Sequence, residues 1–110
     1  MTMRPTIEEM IGKFRQRMES DENARKEVEP IHKTINIDLG SEFYSMVLDN
    51  AEIKEFKEEL TDGVDITLIT TPEHLQALID GDLRPMRAYL TGKIKVKGKL
   101  QDVMHLKKLF

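Results

Sequence analysis

The apolar side chains of this chain change their spacing partway along, and that change limits the folds open to it. Ile7, Met10, Ile11, Phe14 and Met18 recur at steps of three and four, which draws one apolar stripe along a helix. From Thr34 the step becomes two: Ile35, Ile37 and Leu39 alternate with Thr34, Asn36 and Asp38, the pattern of a half-buried strand. The helix is read as opening at Pro5, with Thr6 as cap and Glu9 reaching back in a capping box. The charged stretch from Ser20 to Glu29, ended by Pro30, reads as a short solvated helix or turn. Phe43 to Leu48 is β-prone on both faces, Asp49-Asn50 allows a turn, and Ile53 to Phe56 continues the strand or partners it. Thr61-Asp62-Gly63 carries the clearest hairpin signal, leading into a strand from Val64 to Thr70.

Beyond that point the helical period returns. Thr71-Pro72-Glu73 starts a helix with Leu75, Leu78 and Ile79 inward, and Gly81 ends it. Pro85 begins a shorter one carrying Met86, Tyr89 and Leu90, closed by Gly92. Lys93 to Lys99 alternates strictly, with Ile94 and Val96 inward and four lysines outward. Leu100 to Phe110 is helical again, with Val103, Met104, Leu106, Leu109 and Phe110 in a broad apolar arc. The order implies one domain over residues 1–110 of the α+β class: a mixed, mainly antiparallel twisted sheet of about five strands with helices packed on one face.

Composition excludes several kinds of chemistry. The chain has no cysteine, so disulfides, thiolate zinc sites and cysteine nucleophiles are ruled out. At 110 residues it can still bury a core without such staples. The net charge of −3 is far from the basic balance of a dedicated nucleic-acid binder, and no nucleic acid is expected as partner. The charge is uneven. Residues 1–62 hold nine basic and fifteen acidic side chains, residues 63–110 eight basic and five acidic. No apolar run has the length of a membrane span or secretory signal, so the expectation is a soluble, unprocessed, cytoplasmic protein, monomeric or weakly dimeric.

The search for catalytic groups finds none. His32, His74 and His105 stand far apart without metal-ligand spacing, Asp38 and Asp65 fall on outward strand faces, and the glycines read as turns and caps. No cofactor is implied. The row Lys93, Lys95, Lys97 and Lys99 has two readings. It can meet phosphates of an anionic membrane or of nucleic acid. The preferred reading is that lysines along an exposed strand suppress edge-to-edge pairing. No aromatic residue alternates with them to stack on bases. Met46, Met86 and Met104 supply adaptable apolar surface, or simply core.

Several segments, taken in order, resemble the sterol carrier protein type-2 lipid-binding family. They are the strand Asp65-Ile66-Thr67-Leu68, the helix Pro72 to Asp80, Leu83-Arg84-Pro85 leading to Ala88-Tyr89-Leu90, then Thr91-Gly92-Lys93-Ile94-Lys95-Val96-Lys97-Gly98, and last Val103-Met104-Leu106-Leu109. Ile31 to Asp38 is similar to the family's first strand, and residues 7–18 lie where the family has its N-terminal helix. Between Gly40 and Asp62 the chain departs: the acidic run Glu52 to Glu59 replaces an aromatic-rich strand and an Asp-x-Lys-x-Gly hairpin.

The resemblance implies a five-stranded mixed sheet and helices enclosing an apolar cavity or tunnel for fatty acyl chains, acyl-CoA, phospholipid or sterol, with no catalytic residue. The candidate lining residues, chosen by face, are Ile37, Met46, Leu48, Ile66, Leu68, Leu75, Met86, Tyr89, Leu90, Ile94, Val103, Leu106 and Phe110. Each has a second reading as core filler. The apolar final segment is expected to form a movable lid. The ending Lys107-Lys108-Leu109-Phe110 is not the Ser-Lys-Leu address of some family members. The competing function is an accessory or protein-interaction module with a filled core and no ligand.

Overall fold

The computed structural model describes residues 2–110. In chain order the elements are α1 (Arg4–Ser20), α2 (Glu22–Val28), β1 (Lys33–Asp38), β2 (Phe43–Asp49), β3 (Glu52–Lys57), β4 (Ile66–Ile69), α3 (Pro72–Asp80), α4 (Pro85–Leu90), β5 (Lys95–Lys97) and α5 (Leu100–Lys107). The five strands form one mixed sheet in the order β3-β2-β1-β4-β5. The β1–β4 pair is parallel and the other three pairs are antiparallel.

Register assigns the faces. Ile35 stands opposite Met46 and Ile66, and Ile37 opposite Tyr44 and Leu68, so these six side chains share the face covered by helices. Asn36 stands opposite Ser45 and Thr67 on the other face. The helices contribute Ile7, Met10, Phe14 and Met18 from α1, Leu75 and Leu78 from α3, Ala88 from α4, and Val103 and Leu106 from α5. The stripe read from the sequence is thus the buried face of α1, with Ile11 half-buried at its border.

Helix α1 begins at Arg4, two residues before the expected cap, and Thr6 lies inside it. No side chain caps it locally; the Ile7 amide bonds the Met3 carbonyl, and the Met3 amide donates to Glu42 Oε1 at 2.7 Å. Pro5 lacks an N–H, so one orphan donor of the first turn is already removed. Glu42 comes from the β1–β2 connection and also accepts from the Tyr44 hydroxyl at 2.6 Å. These two bonds, Tyr44 first, hold the Glu42 carboxyl below its ordinary value. Burial, and then the bond to Glu42, push the Tyr44 phenol up to about 12. The Tyr44 ring stacks on Phe56 at 5.6 Å, and the Arg4 guanidinium lies over Phe56 while pairing with Glu8 and Glu58.

Two expectations about strands are corrected. Asp62-Gly63 does turn, with Gly63 at φ +69, but it closes no hairpin, because β3 and β4 lie on opposite sides of the β2–β1 pair. Residues 58–65 instead cross the sheet on the face opposite the helices. The buried Asn36 carboxamide fixes them there, donating to the Thr61 carbonyl at 2.9 Å and accepting from the Thr61 amide at 3.0 Å. The Thr61 hydroxyl adds a bond to Ser45 Oγ. The tight hairpin is β2–β3, where Asn50 and Ala51 take positive φ between the paired Asp49 and Glu52. The lysine strand is also shorter than expected. The Lys93 and Ile94 amides bond the Ala88 carbonyl at the end of α4, and Lys99 already caps α5, leaving Lys95–Lys97 to pair with β4.

Replacing the buried Asn36 by Ala removes both of its bonds to the Thr61 backbone, and we expect a loss of about 2 kcal/mol in denaturant unfolding. The pH profile of thermal unfolding should fall on both flanks. Glu42 has a depressed folded pKa, so its contribution is full above its ordinary value of 4.5 and is lost as the pH falls through the folded one. Tyr44 has a raised folded pKa, so its contribution is full below 10 and is lost as the pH rises toward about 12. Glu42→Gln should make the acid flank shallower; an unchanged slope would contradict the assignment.

Candidate functional site

The sheet and helices bring nine of the thirteen expected lining residues together. Ile37, Met46, Leu48, Ile66, Leu68, Leu75, Ile94, Val103 and Leu106 are each no more than 3% exposed, between the helix-facing side of the sheet and α3, α5 and the α4–β5 connection. There they pack as core. Tyr89 and Phe110 are half-buried against that core, and Met86 is half-exposed on α4. Leu90 is a correction: at 77% exposure it projects from the last turn of α4 into solvent. Met104, expected in the inward arc of the final helix, is 47% exposed, and Leu100 is 66% exposed. The arc is narrower than its composition suggests because α5 rests its Val103–Leu106 side on the core and packs along α4.

Open space lies elsewhere, around the C-terminal half of α1. One cavity of about 350 Å³ runs between α1, α2 and the β2–β3 turn. Its apolar lining is Ile11, Phe14, Met18, Ala51 and Ile53; Arg15, Glu19, Arg25, Glu29, Asn50 and Glu52 form its polar rim. A second, about 220 Å³, lies between Arg17, Met18, Ala24, Val28 and the C-terminal end, with Lys107, the last residue of α5, and Lys108 and Phe110 beyond it as its far wall. Met18 lines both, so a single flexible thioether side chain borders the two spaces. A third space of about 100 Å³ sits under the crossing loop, beside Ser45, Thr61 and Val64.

The segment after α5 is tied down by polar contacts as well as by burial of Leu109. Arg17 donates to the Phe110 carbonyl at 3.0 Å and to the Lys108 carbonyl, and Lys108 pairs with Glu27 at 2.8 Å. At its other end α5 is anchored by Asp102, which is 3% exposed and accepts from the Lys99 amide at 2.8 Å. Lys33 of β1 and His105 stand 3.4 and 3.7 Å from the same carboxylate. Gly98, at φ +150, is required by this closeness: a Cβ there would lie 2.6 Å from Asp102 Oδ2.

The remaining polar candidates have local roles. His32 pairs with Asp49 at 3.1 Å, and His74 Nδ1 lies 3.1 Å from the Lys93 carbonyl. Asp38 accepts from the Gly40 amide, and Asp65 accepts from the Thr34 amide and hydroxyl; those bonds, with the backbone bond foremost, hold its carboxyl below the ordinary value. Among the described residues, no three His, Asp or Glu side chains converge to hold a metal ion. The cavity residues Ala51 and Ile53 were invisible as lining in the sequence, because they reach α1 only through the β2–β3 turn. The half-buried Ile11 beside the main stripe of α1 was the one local signal.

Arg17→Ala should loosen the segment after α5 while sparing the sheet. Amide exchange is expected to rise over residues 106–110 and to stay slow in β1 and β4; uniform protection in the variant would show that burial alone holds the segment.

Comparison with known proteins adds the family. A 46-residue stretch, 41% of the chain, is 46% identical to stomatin-like protein 1 of Mus musculus, and the chain covers 12% of that protein's length. Sterol carrier protein 2 like 2 of Aedes aegypti superposes with a TM-score of 0.63 at 21% identity, covering 99% of this chain and 100% of that one. The sec-alkylsulfatase Pisa1 from Pseudomonas sp. superposes at 0.66 with 17% identity, covering 78% of this chain and 14% of the enzyme. At those identities the two structures share the fold. The profile of the SCP-2 sterol transfer family matches residues 11–110, and the chain belongs to that family.

Proposed function

We propose that this domain binds or transfers lipid without catalysing a reaction on it. The observation that carries the reading is the pair of spaces bordered by Met18, in a chain of the SCP-2 family. The larger, about 350 Å³, is at the lower end of ordinary ligand pockets. An acyl chain enters between α1, α2 and the β2–β3 turn and extends past Met18 as the segment after α5 shifts. That segment acts as the lid, with Arg17 as its catch. Behind it lies the apolar interior built by Ile37, Met46, Leu48, Ile66, Leu68, Leu75, Ile94, Val103 and Leu106, with Met86, Tyr89 and Phe110 at the border. Burial is a sufficient driving force: about 0.8 kcal/mol per methylene yields on the order of 10 kcal/mol for a dozen, before ordering costs. Directional groups are not needed for this, which fits an interior of Leu, Ile, Val and Met. Lys93, Lys95, Lys97 and Lys99 make the transient contact with an anionic membrane from which lipid is collected.

A second reading is favoured by the tightness of the core, since residues packed against one another leave no room for a ligand: an accessory or protein-interaction module. Organic extraction and native mass spectrometry of the purified protein separate the two. We expect co-purified lipid and saturable displacement of a fluorescent fatty acid, weakened several-fold by Ile53→Trp, which fills the larger space. A clean unliganded mass together with no fatty-acid binding would leave the second reading standing.

A further inference from the structure

The two spaces beside the end of α1 share one lining residue, Met18. Phe14 and Ile53 line only the larger, Val28 and Phe110 only the smaller. Met18 stands in the last turn of α1 and is 5% exposed, so its side chain is the partition between them. The walls on either side differ in firmness. The larger space backs onto the β2–β3 turn, where Asp49 pairs with Glu52 and Ala51 is buried with its backbone at φ +60. A left-handed alanine persists only where its surroundings over-determine it, and this wall is therefore firm. The smaller space backs onto Lys107, Lys108 and Phe110. That wall hangs on Arg17, through the Lys108 and Phe110 carbonyls, and on the exposed Lys108–Glu27 pair, a kind of contact that adds little stability. A chain that has filled the larger space gains further burial by passing Met18 and pressing on the softer wall.

We infer that Met18 is a gate that sets the length of acyl chain this domain holds with its C-terminal segment in place. The inference rests on the lipid-binding reading above and adds to it a length limit and the residue that imposes it. At about 30 Å³ for each small heavy-atom group, the share a water takes in the liquid, the larger space accepts roughly a dozen carbons and the smaller roughly seven more. Chains of up to about twelve carbons lie in the larger space alone, with Met18 and the segment after α5 undisturbed. Longer chains swing the thioether aside, send their last carbons against Phe110, and loosen the carbonyls that Arg17 holds. The side chain at position 18 suits this task because methionine is unbranched and adapts its shape at little cost, whereas a β-branched residue there would be stiff at its first torsion. Chain length and the order of the C-terminal segment are thereby coupled through one residue.

The test is displacement of a fluorescent fatty acid from the intact protein by decanoate, dodecanoate and hexadecanoate, each below its micelle threshold, with amide exchange measured alongside. Affinity is expected to rise about fourfold per added methylene up to dodecanoate and by clearly less beyond it. Exchange over residues 106–110 should match the unliganded protein when decanoate is bound and speed up several-fold with hexadecanoate. Met18→Ala removes the gate: the ratio of hexadecanoate to decanoate affinity should rise several-fold, and hexadecanoate should no longer speed exchange in that segment. Truncating a buried methionine also costs stability, so Met18→Ile is the second variant. It keeps most of the volume but is stiff, and the same ratio should fall several-fold. An unbroken fourfold rise as far as hexadecanoate, with exchange unchanged, overturns the gate and leaves lipid binding in place. A wild-type ratio in both variants overturns it as well. Binding of none of the three acids overturns the lipid reading itself, and the length limit with it.

Discussion

The parallel pairing of β1 with β4 is the constraint on which the rest of this structure depends. Two antiparallel neighbours can be joined by a two-residue turn, but a parallel partner must be reached by a longer path. Here the path is β2, β3 and the crossing segment 58–65, which carries the chain over the outer face of the sheet. Strand β1 is therefore covered on both sides, by helices over Ile35 and Ile37 and by the crossing segment over Asn36. A polar side chain in that position has to be satisfied, and the carboxamide of Asn36 is matched to the backbone of the single residue Thr61, donating to its carbonyl and accepting from its amide. The same clamp places β4 beside β1 and so sends α3, α4 and α5 back across the helix-covered face.

The limited apolar content then has to serve two purposes. Side chains that fill the space beneath the sheet do not at the same time leave it open, and in this conformation they fill it. The open volume collects around Met18, where α1 is flanked by α2, the β2–β3 turn and the segment after α5. Such a boundary is softer than the interior. It is formed by an unbranched thioether, by a segment held through carbonyls to a single arginine, and by an exposed ion pair of the kind that adds little stability. For a domain that takes up and releases an acyl chain, weak closure next to a firm core is a workable division.

Charge is divided along the chain as well. The acidic first part surrounds the polar rim of the larger cavity, whereas the basic last part forms the β5 edge and the outer surfaces of α4 and α5. Asp102 shows how the fold sharpens what composition only suggests. As a free carboxylate it would offset a lysine; as the cap of α5, close to Lys33 and His105, it is withdrawn from the surface and the segment is left almost wholly cationic outside.

What the sequence determined by itself was the type of each element and, for most, the side it buries. Stripe spacing fixed α1, alternation marked β1 and β5, and Thr71-Pro72 with Gly81 bounded α3, because these signals come from residues within a turn or two of one another. The resemblance to the sterol carrier family was also legible, since it rests on local motifs of the second half. The tertiary structure alone decided the partners. Asp62-Gly63 turns without closing a hairpin because Asn36, far away in sequence, claims Thr61; the start of α1 moves to Arg4 because Glu42 supplies a bond that Thr6 does not; and Leu90 is left in water because α5 packs beside α4. Whether an apolar residue fills a core, lines a space or faces solvent depends on what a distant segment brings against it. Periodicity records only the direction in which a side chain points along its own element.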